Sequence, residues 1–298
     1  MMLMMISFKK HRKELYAFHS SHLGASHKKV NQVCQDASGS SYKEKYAIAI
    51  VCDGHGGNNY FRSNQGSQIA TEVTIKVIKE FMGNFLKPNA SKSLREKMFI
   101  NKDQFMRQLA QSIIVGWQKQ IAEDYRNRPF TSEELLLMDE KFRKKYETNP
   151  EESYIKAYGT TLIASVVYPG YFWFGLQIGD GKCVAAYEDG TFNQPIPWDD
   201  ACFLNVTTSL CDGNAIDKFR YCLHENHFPR AIFMGTDGVD DSFANDKDLY
   251  DFYQEVLQTF QEKDEKLAKQ EIENFLPILS EKGSGDDISV AGIIYNKV

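Results

Sequence analysis

Residues Tyr46 to Cys52 read YAIAIVC, and the next five, Asp53-Gly54-His55-Gly56-Gly57, form an acidic, glycine-rich turn. A nearly continuous apolar run that ends at Asp-Gly reads as a strand buried on both faces. Tyr16 to Leu23 reads as a strand before it. After the turn, Ile69, Val73, Val77, Ile78 and Phe81 recur at three- and four-residue steps, with Gly83 just beyond, and predict a helix. Phe105, Leu109, Ile113, Trp117 and Ile121 step by four and predict a second helix over about Lys102 to Arg126. Pro88 to Lys97 reads as a connection between them. Pro129 to Tyr154 is charged and reads as a looser third helix with a loop.

Strands then return. Gly159 to Tyr168 and Tyr171 to Gly179 flank Pro169-Gly170 and predict a hairpin, followed by a strand over Cys183 to Tyr187. Gln194 to Phe228 lacks periodicity and reads as an irregular surface segment. Arg230 to Gly235 is another buried run. A single helix, with Leu249, Phe252, Tyr253, Val256, Leu257 and Phe260 on one face and Asp246 as its N-cap, precedes a closing strand over Asp287 to Tyr295. Paired helices between antiparallel hairpins, without βαβ alternation, point to an α+β fold. No low-complexity linker divides the chain, so residues 1–298 read as one domain, with 1–14 as an N-terminal extension of unassigned order.

The 298 residues include 20 Phe, 15 Tyr and 3 Trp, enough for a substantial core. The 35 basic and 40 acidic residues give a formal charge of -5, which argues against nucleic-acid binding. Met1 to Ile6 is too short for a signal-peptide core, and no apolar run approaches the ~20 residues of a membrane span. A soluble, cytoplasmic protein is expected. The six cysteines form no C-x-x-C pair and read as reduced, mostly buried thiols.

The carboxylates carry the chemistry. Asp36, Asp53, Asp180, Asp237, Asp286 and Asp287 sit at the boundaries of predicted strands, beside small residues. One such aspartate is an ordinary turn residue. Five boundaries of this kind place several acids where strand ends converge. Clustered carboxylates repel one another, and a bound hard cation relieves them. Mg²⁺ and Mn²⁺ prefer oxygen ligands, and two such ions about 3.5–4 Å apart activate a bridging water and clamp a phosphoryl group. Gly54 is free to lend its carbonyl to a metal. His55 is placed as a general acid for the leaving oxygen.

Together these motifs resemble the type 2C, metal-dependent serine/threonine protein phosphatases, in a bacterial-like form. Asp53-Gly54-His55-Gly56-Gly57 looks like the family signature. Gln35-Asp36-Ala37, Tyr158-Gly159-Thr160-Thr161, Gly179-Asp180-Gly181-Lys182, Phe233 to Val239 with Asp241, and Asp286-Asp287-Ile288-Ser289-Val290 resemble its other motifs, in order. The resemblance implies two antiparallel β-sheets packed face to face with helices outside, and a binuclear Mn²⁺ or Mg²⁺ centre. Asp53 would bridge the metals, Asp237 and Asp286 would hold one, and the Gly54 carbonyl the other. Asp36 would bind directly or through water. Asp180 and Asp241 match the acids of a third, weaker site. A metal-bound hydroxide would attack phosphorus in line. The implied substrate is a phosphorylated protein, opposite a serine/threonine kinase.

The chain departs from the pattern upstream. Gln35 stands where many members have Glu, and no arginine occurs between Arg12 and Arg62 to grip phosphate. His27 is the expected phosphate contact, with Lys29 beside it as a point charge. These departures motivate one alternative, a pseudophosphatase that binds a phosphoprotein or regulator without turnover. Another keeps the metals and acts on a small phosphorylated metabolite.

Overall fold

The computed structural model describes residues 15–43, 45–87, 91–203 and 206–295. The apolar start and the basic stretch behind it lie outside the described residues. In chain order the elements are β1 (Leu15–His22), α1 (Ala25–Lys29), β2 (Ala37–Tyr42), β3 (Ala47–Cys52), α2 (Ser63–Phe85), α3 (Ser91–Ile100), α4 (Lys102–Asn127), α5 (Ser132–Leu137), α6 (Glu140–Thr148) and α7 (Pro150–Ser153). Then come β4 (Leu162–Tyr168), β5 (Phe172–Ile178), β6 (Lys182–Ala186), β7 (Phe192–Asn193), α8 (Ala215–Lys218), β8 (Arg220–His224), β9 (Ala231–Gly235), α9 (Asp237–Asp240), α10 (Asp246–Glu262), α11 (Glu265–Lys282) and β10 (Ile288–Tyr295). Short 3₁₀ turns cover Asn58–Tyr60 and Tyr154–Tyr158.

The strands form two five-stranded antiparallel sheets, β1-β10-β9-β6-β7 and β2-β3-β4-β5-β8. Side chains alternate across each strand, so a strand covered on both faces must be apolar at every position. In β3, Ile48, Ile50 and Cys52 pack outward with Ile78 of α2 and Trp117 of α4. Ala47, Ala49 and Val51 face the other sheet, where they meet Ala185, Ile232 and Ala291. The opposite outer face packs Phe233, Val290 and Ile294 against Tyr253 of α10 and Leu276 of α11. The result is the α+β arrangement of two packed sheets flanked by helices.

Several elements differ from the sequence reading. β2 (ASGSSY) has no apolar alternation, because it is an edge strand whose serines meet polar side chains of β1. Ser38 bonds Ser21 at 2.7 Å and Ser40 bonds His19 at 2.9 Å. The expected connection before Lys97 contains α3. Pro129 to Tyr154 folds as three short helices, and Thr131 opens the first with a capping box to Glu134. The N-cap of α10 is Asn245, whose side chain accepts from the Asp248 amide, so Asp246 is already helical. A second helix, α11, capped by Asp264, precedes the last strand. The irregular segment contains β8, which closes one sheet edge against β5. All six cysteines are free, and four are buried.

Candidate metal centre

The antiparallel registers bring the acidic boundaries to one edge of the sandwich. Ala37 pairs with Cys52, so Asp36 lies beside Asp53. Leu162 pairs with Ile178, which sets Thr161 beside Gly179-Asp180. Val290 and Lys182 both pair with Gly235, bringing Asp286 and Asp180 toward Asp237. Carboxylate oxygens of Asp53, Asp180 and Asp237 lie within 4.8 Å of one another. Asp180 Oδ1 is buried without a hydrogen-bond partner.

The electrostatics follow from that crowding. Burial first, then Asp237, Asp36, Asp180 and Asp286, hold the Asp53 pKa well above the carboxylate range. Asp36 is buried and likewise raised by burial and by Asp237, Asp287 and Asp286, although Thr236 Oγ1 donates to its Oδ2 at 2.7 Å. Asp237 is pushed up to about 7 by burial and its acidic neighbours. Asp241 adds its charge to Asp180 and Asp237. These oxygen donors fit a hard divalent cation such as Mn²⁺ or Mg²⁺, which would offset the crowded negative charge and partner the buried Asp180 oxygen.

Backbone bonds fix the acids in place. Thr160 Oγ1 and the Thr161 amide both donate to the Asp53 carbonyl at 2.8 Å, and the Asp53 amide donates to Thr161 Oγ1 at 3.0 Å. Gly54 is squeezed: a Cβ there would lie 2.3 Å from the Gln35 carbonyl oxygen and 2.8 Å from that of Ser63. Any larger residue would push the 53–57 turn away from Asp36. Asp287 is buried and accepts from the amides of Gly24 and Gln35, both at 2.6 Å.

Gln35 does not point into the carboxylate cluster. Its amide nitrogen donates to the His55 carbonyl at 3.0 Å and to Ser63 Oγ at 2.6 Å. A carboxylate cannot donate, so an acid here would oppose the His55 carbonyl and add charge beside Asp287. Gln35→Glu is therefore expected to cost about 1–3 kcal/mol of stability. Urea denaturation measures it, and an unchanged midpoint would contradict the bracing role.

The remaining expected residues are dispersed around this cluster. His55 is half-buried beside Asp53, its amide donates to the Gly159 carbonyl at 3.1 Å, and Tyr60 packs edge-on at 5.0 Å. Burial, and then Lys156, lower its pKa to about 4. His27 lies against the start of β10, with Nδ1 3.0 Å from Asp287 and Nε2 3.5 Å from Asp286. Lys29 is exposed and makes no ion pair among the described residues. Lys182 is occupied by Asp246 at 2.8 Å and Asp240 at 3.4 Å. Asp240 and Lys156 were not anticipated as parts of this region, and Thr236 was read only as part of the motif from Phe233 to Val239. Only Asp240 had a local signal, its place between Asp237 and Asp241.

A two-sheet sandwich with a carboxylate cluster at one edge has the donor chemistry of a site for hard divalent cations. The chain belongs to the protein phosphatase 2C family, whose model matches residues 23–277. It is accordingly a phosphoprotein phosphatase of the serine/threonine class. Among solved structures it is similar in fold to the serine/threonine phosphatase Stp1 from Staphylococcus aureus, at 13% identity and TM-score 0.56, covering 95% of this chain and 96% of that one. It is also similar to the Mycobacterium tuberculosis phosphatase PstP/Ppp, at 13% identity and TM-score 0.51, covering 95% and 99%. A catalytic domain of PstP in complex with two manganese ions matches at 14% identity and TM-score 0.51, covering 95% and 99%. Comparison with curated protein sequences returns no significant match.

Proposed function

We propose that this chain removes phosphate from phosphoserine and phosphothreonine in proteins, using two Mn²⁺ or Mg²⁺ ions held by Asp36, Asp53, the Gly54 carbonyl, Asp237 and Asp286, with Asp180 and Asp241 at a third, weaker site. The observation that carries this reading is the convergence of Asp53, Asp180 and Asp237 from three strand ends, with carboxylate oxygens within 4.8 Å of one another. The two manganese ions in the PstP catalytic domain support the choice of metal. Bound ions of this kind polarise a phosphoryl oxygen and acidify a water.

The chain's own groups do the rest. Thr160 and Thr161 keep Asp53 in register, and Thr236 orients Asp36. Gln35 holds the His55 carbonyl, and with it the turn from which His55 passes a proton to the departing serine or threonine oxygen. Burial and Lys156 keep that imidazole neutral before substrate arrives; the phosphate's negative charge then favours its protonation. His27, and Lys29 at the rim, are proposed as contacts for the phosphate. A cytoplasmic serine/threonine kinase would supply the substrate. No described helix is long and apolar enough to cross a membrane.

Purified protein should release phosphate from an aryl phosphate and a phosphoserine peptide with Mn²⁺, and stop when chelator is added. No metal-dependent release would favour the non-catalytic reading. A clear preference for small phosphorylated metabolites over the peptide would overturn the protein-substrate assignment.

A further inference from the structure

Most cations around the carboxylate cluster are already engaged. Lys182 is held by Asp240 and Asp246. Arg220 donates to the carbonyls of Pro197 and Gly179 and stands 3.8 Å from Asp199. Arg62 is buried against Glu134 at 2.7 Å.

Lys156 differs from all three. It is exposed, and no carboxylate lies within ion-pair distance of its ammonium among the described residues. Asp139 feels its charge, but that carboxylate is taken by the Asn59 side chain and the Phe142 amide. The ammonium is nevertheless positioned. It lies 5.3 Å from the centre of the Tyr60 ring and 6.0 Å from that of Phe142. Cation–π attraction holds a lysine head at such distances while leaving it hydrated on its open side. The same Tyr60 ring packs edge-on against His55. The backbone ties them as well: the Gly159 amide donates to the Lys156 carbonyl at 3.0 Å, and the His55 amide donates to the Gly159 carbonyl at 3.1 Å. A positioned positive charge without an ion-pair partner among the described residues therefore flanks His55.

We propose that Lys156 is a specificity residue that pairs with an acidic side chain flanking the phosphorylated serine or threonine, so that the preferred substrates are acidic phosphopeptides. The phosphate itself is assigned to the metal side of the site. A peptide running past His55 places its neighbouring side chains toward Tyr60 and Lys156. This inference rests on the phosphoprotein-phosphatase reading.

The test measures kcat/KM with Mn²⁺ on three phosphoserine peptides, identical except for Glu, Ala or Lys on both sides of the phosphoserine. The unaltered protein should rank them Glu, Ala, Lys. Lys156→Met, which keeps the aliphatic stem over Tyr60 and Phe142, should shrink the Glu-to-Lys ratio by about threefold to fivefold at low salt. Lys156→Glu should reverse the order, and added salt should compress the ratio in the unaltered protein. Because the ratio is taken within one preparation, any loss of folded protein cancels. Ratios unchanged in both variants would overturn the assignment. Failure of the unaltered protein to hydrolyse any of the three would overturn the phosphatase reading, and this inference with it.

Discussion

Asp53→Asn is expected to lower metal-dependent kcat/KM by about a thousandfold or more and, at the same time, to stabilise the metal-free protein. Asparagine keeps the shape of the side chain and removes its charge. The loss of activity follows from the proposed bridging position. The gain in stability follows from the cluster itself. Asp36, Asp53, Asp180 and Asp237 all have pKa values raised first by burial and then by neighbouring carboxylates, which for Asp180 means Asp241. A carboxyl whose folded pKa is raised binds its proton more tightly folded than unfolded, so it costs nothing at low pH. The penalty grows as pH rises from the ordinary carboxylate range through the folded value, which for Asp237 is about 7. The chelated protein should therefore melt at a higher temperature at pH 5.5 than at pH 8. Asp53→Asn should raise the pH 8 melting temperature in chelator by a few degrees, as expected for relief on the order of 1–2 kcal/mol. Mn²⁺ should stabilise the unaltered protein at pH 8 more than the variant. If Asp53→Asn lowered the melting temperature equally at both pH values in chelator, carboxylate repulsion would not govern the site.

What was legible in the sequence depended on whether a residue's role was local. β3, β4, β9 and β10 are covered on both faces, so each shows as a short apolar run. Asp53, Asp180 and Asp237 stood out because each joins such a run to a glycine or a turn. β2 was invisible because an edge strand can satisfy its serines with polar side chains of β1, here Ser21 and His19. Helix α11 was hidden by its charged face and by Pro277, which lies within the helix without ending it. Gln35 looked like a weakened ligand because its sequence neighbour is Asp36. Its partners, His55 and Ser63, are 20 and 28 residues away and give no local pattern. Lys156 was unremarkable for the same reason, since its position over Tyr60 is set by the turn before β4.

Gly66→Ala is expected to be among the most destabilising single changes in the chain, although alanine normally strengthens a helix. Gly66 lies in the first turns of α2, where the helix touches the 3₁₀ turn before β4. A Cβ built there falls 1.9 Å from the Tyr158 carbonyl oxygen, 2.7 Å from its carbon and 3.0 Å from its Cα. All three are backbone atoms and cannot swing aside. Nor is the turn free to move. Arg62 binds the Tyr158 hydroxyl at 2.8 Å and the Arg128 carbonyl at 2.6 Å, and its amide donates to the Ala157 carbonyl. From the other side, Trp117 Nε1 donates to the Gly66 carbonyl at 3.0 Å. Relieving the clash means breaking part of this buried network, at a cost of about 3–5 kcal/mol out of the 5–15 kcal/mol typical of a domain. Gly83→Ala is the matched control in the same helix, because a Cβ there meets nothing within 4 Å. It should stabilise by about 0.5–1 kcal/mol. Urea midpoints of the two variants should move in opposite directions, and equal shifts would refute the close-packing account. The site should report the same lesion. Ser63, one turn before Gly66, and Ser67, the residue after it, hold the Gln35 side chain and carbonyl. Any displacement of α2 that accommodates the new methyl group is therefore passed to the turn that carries Gly54 and His55.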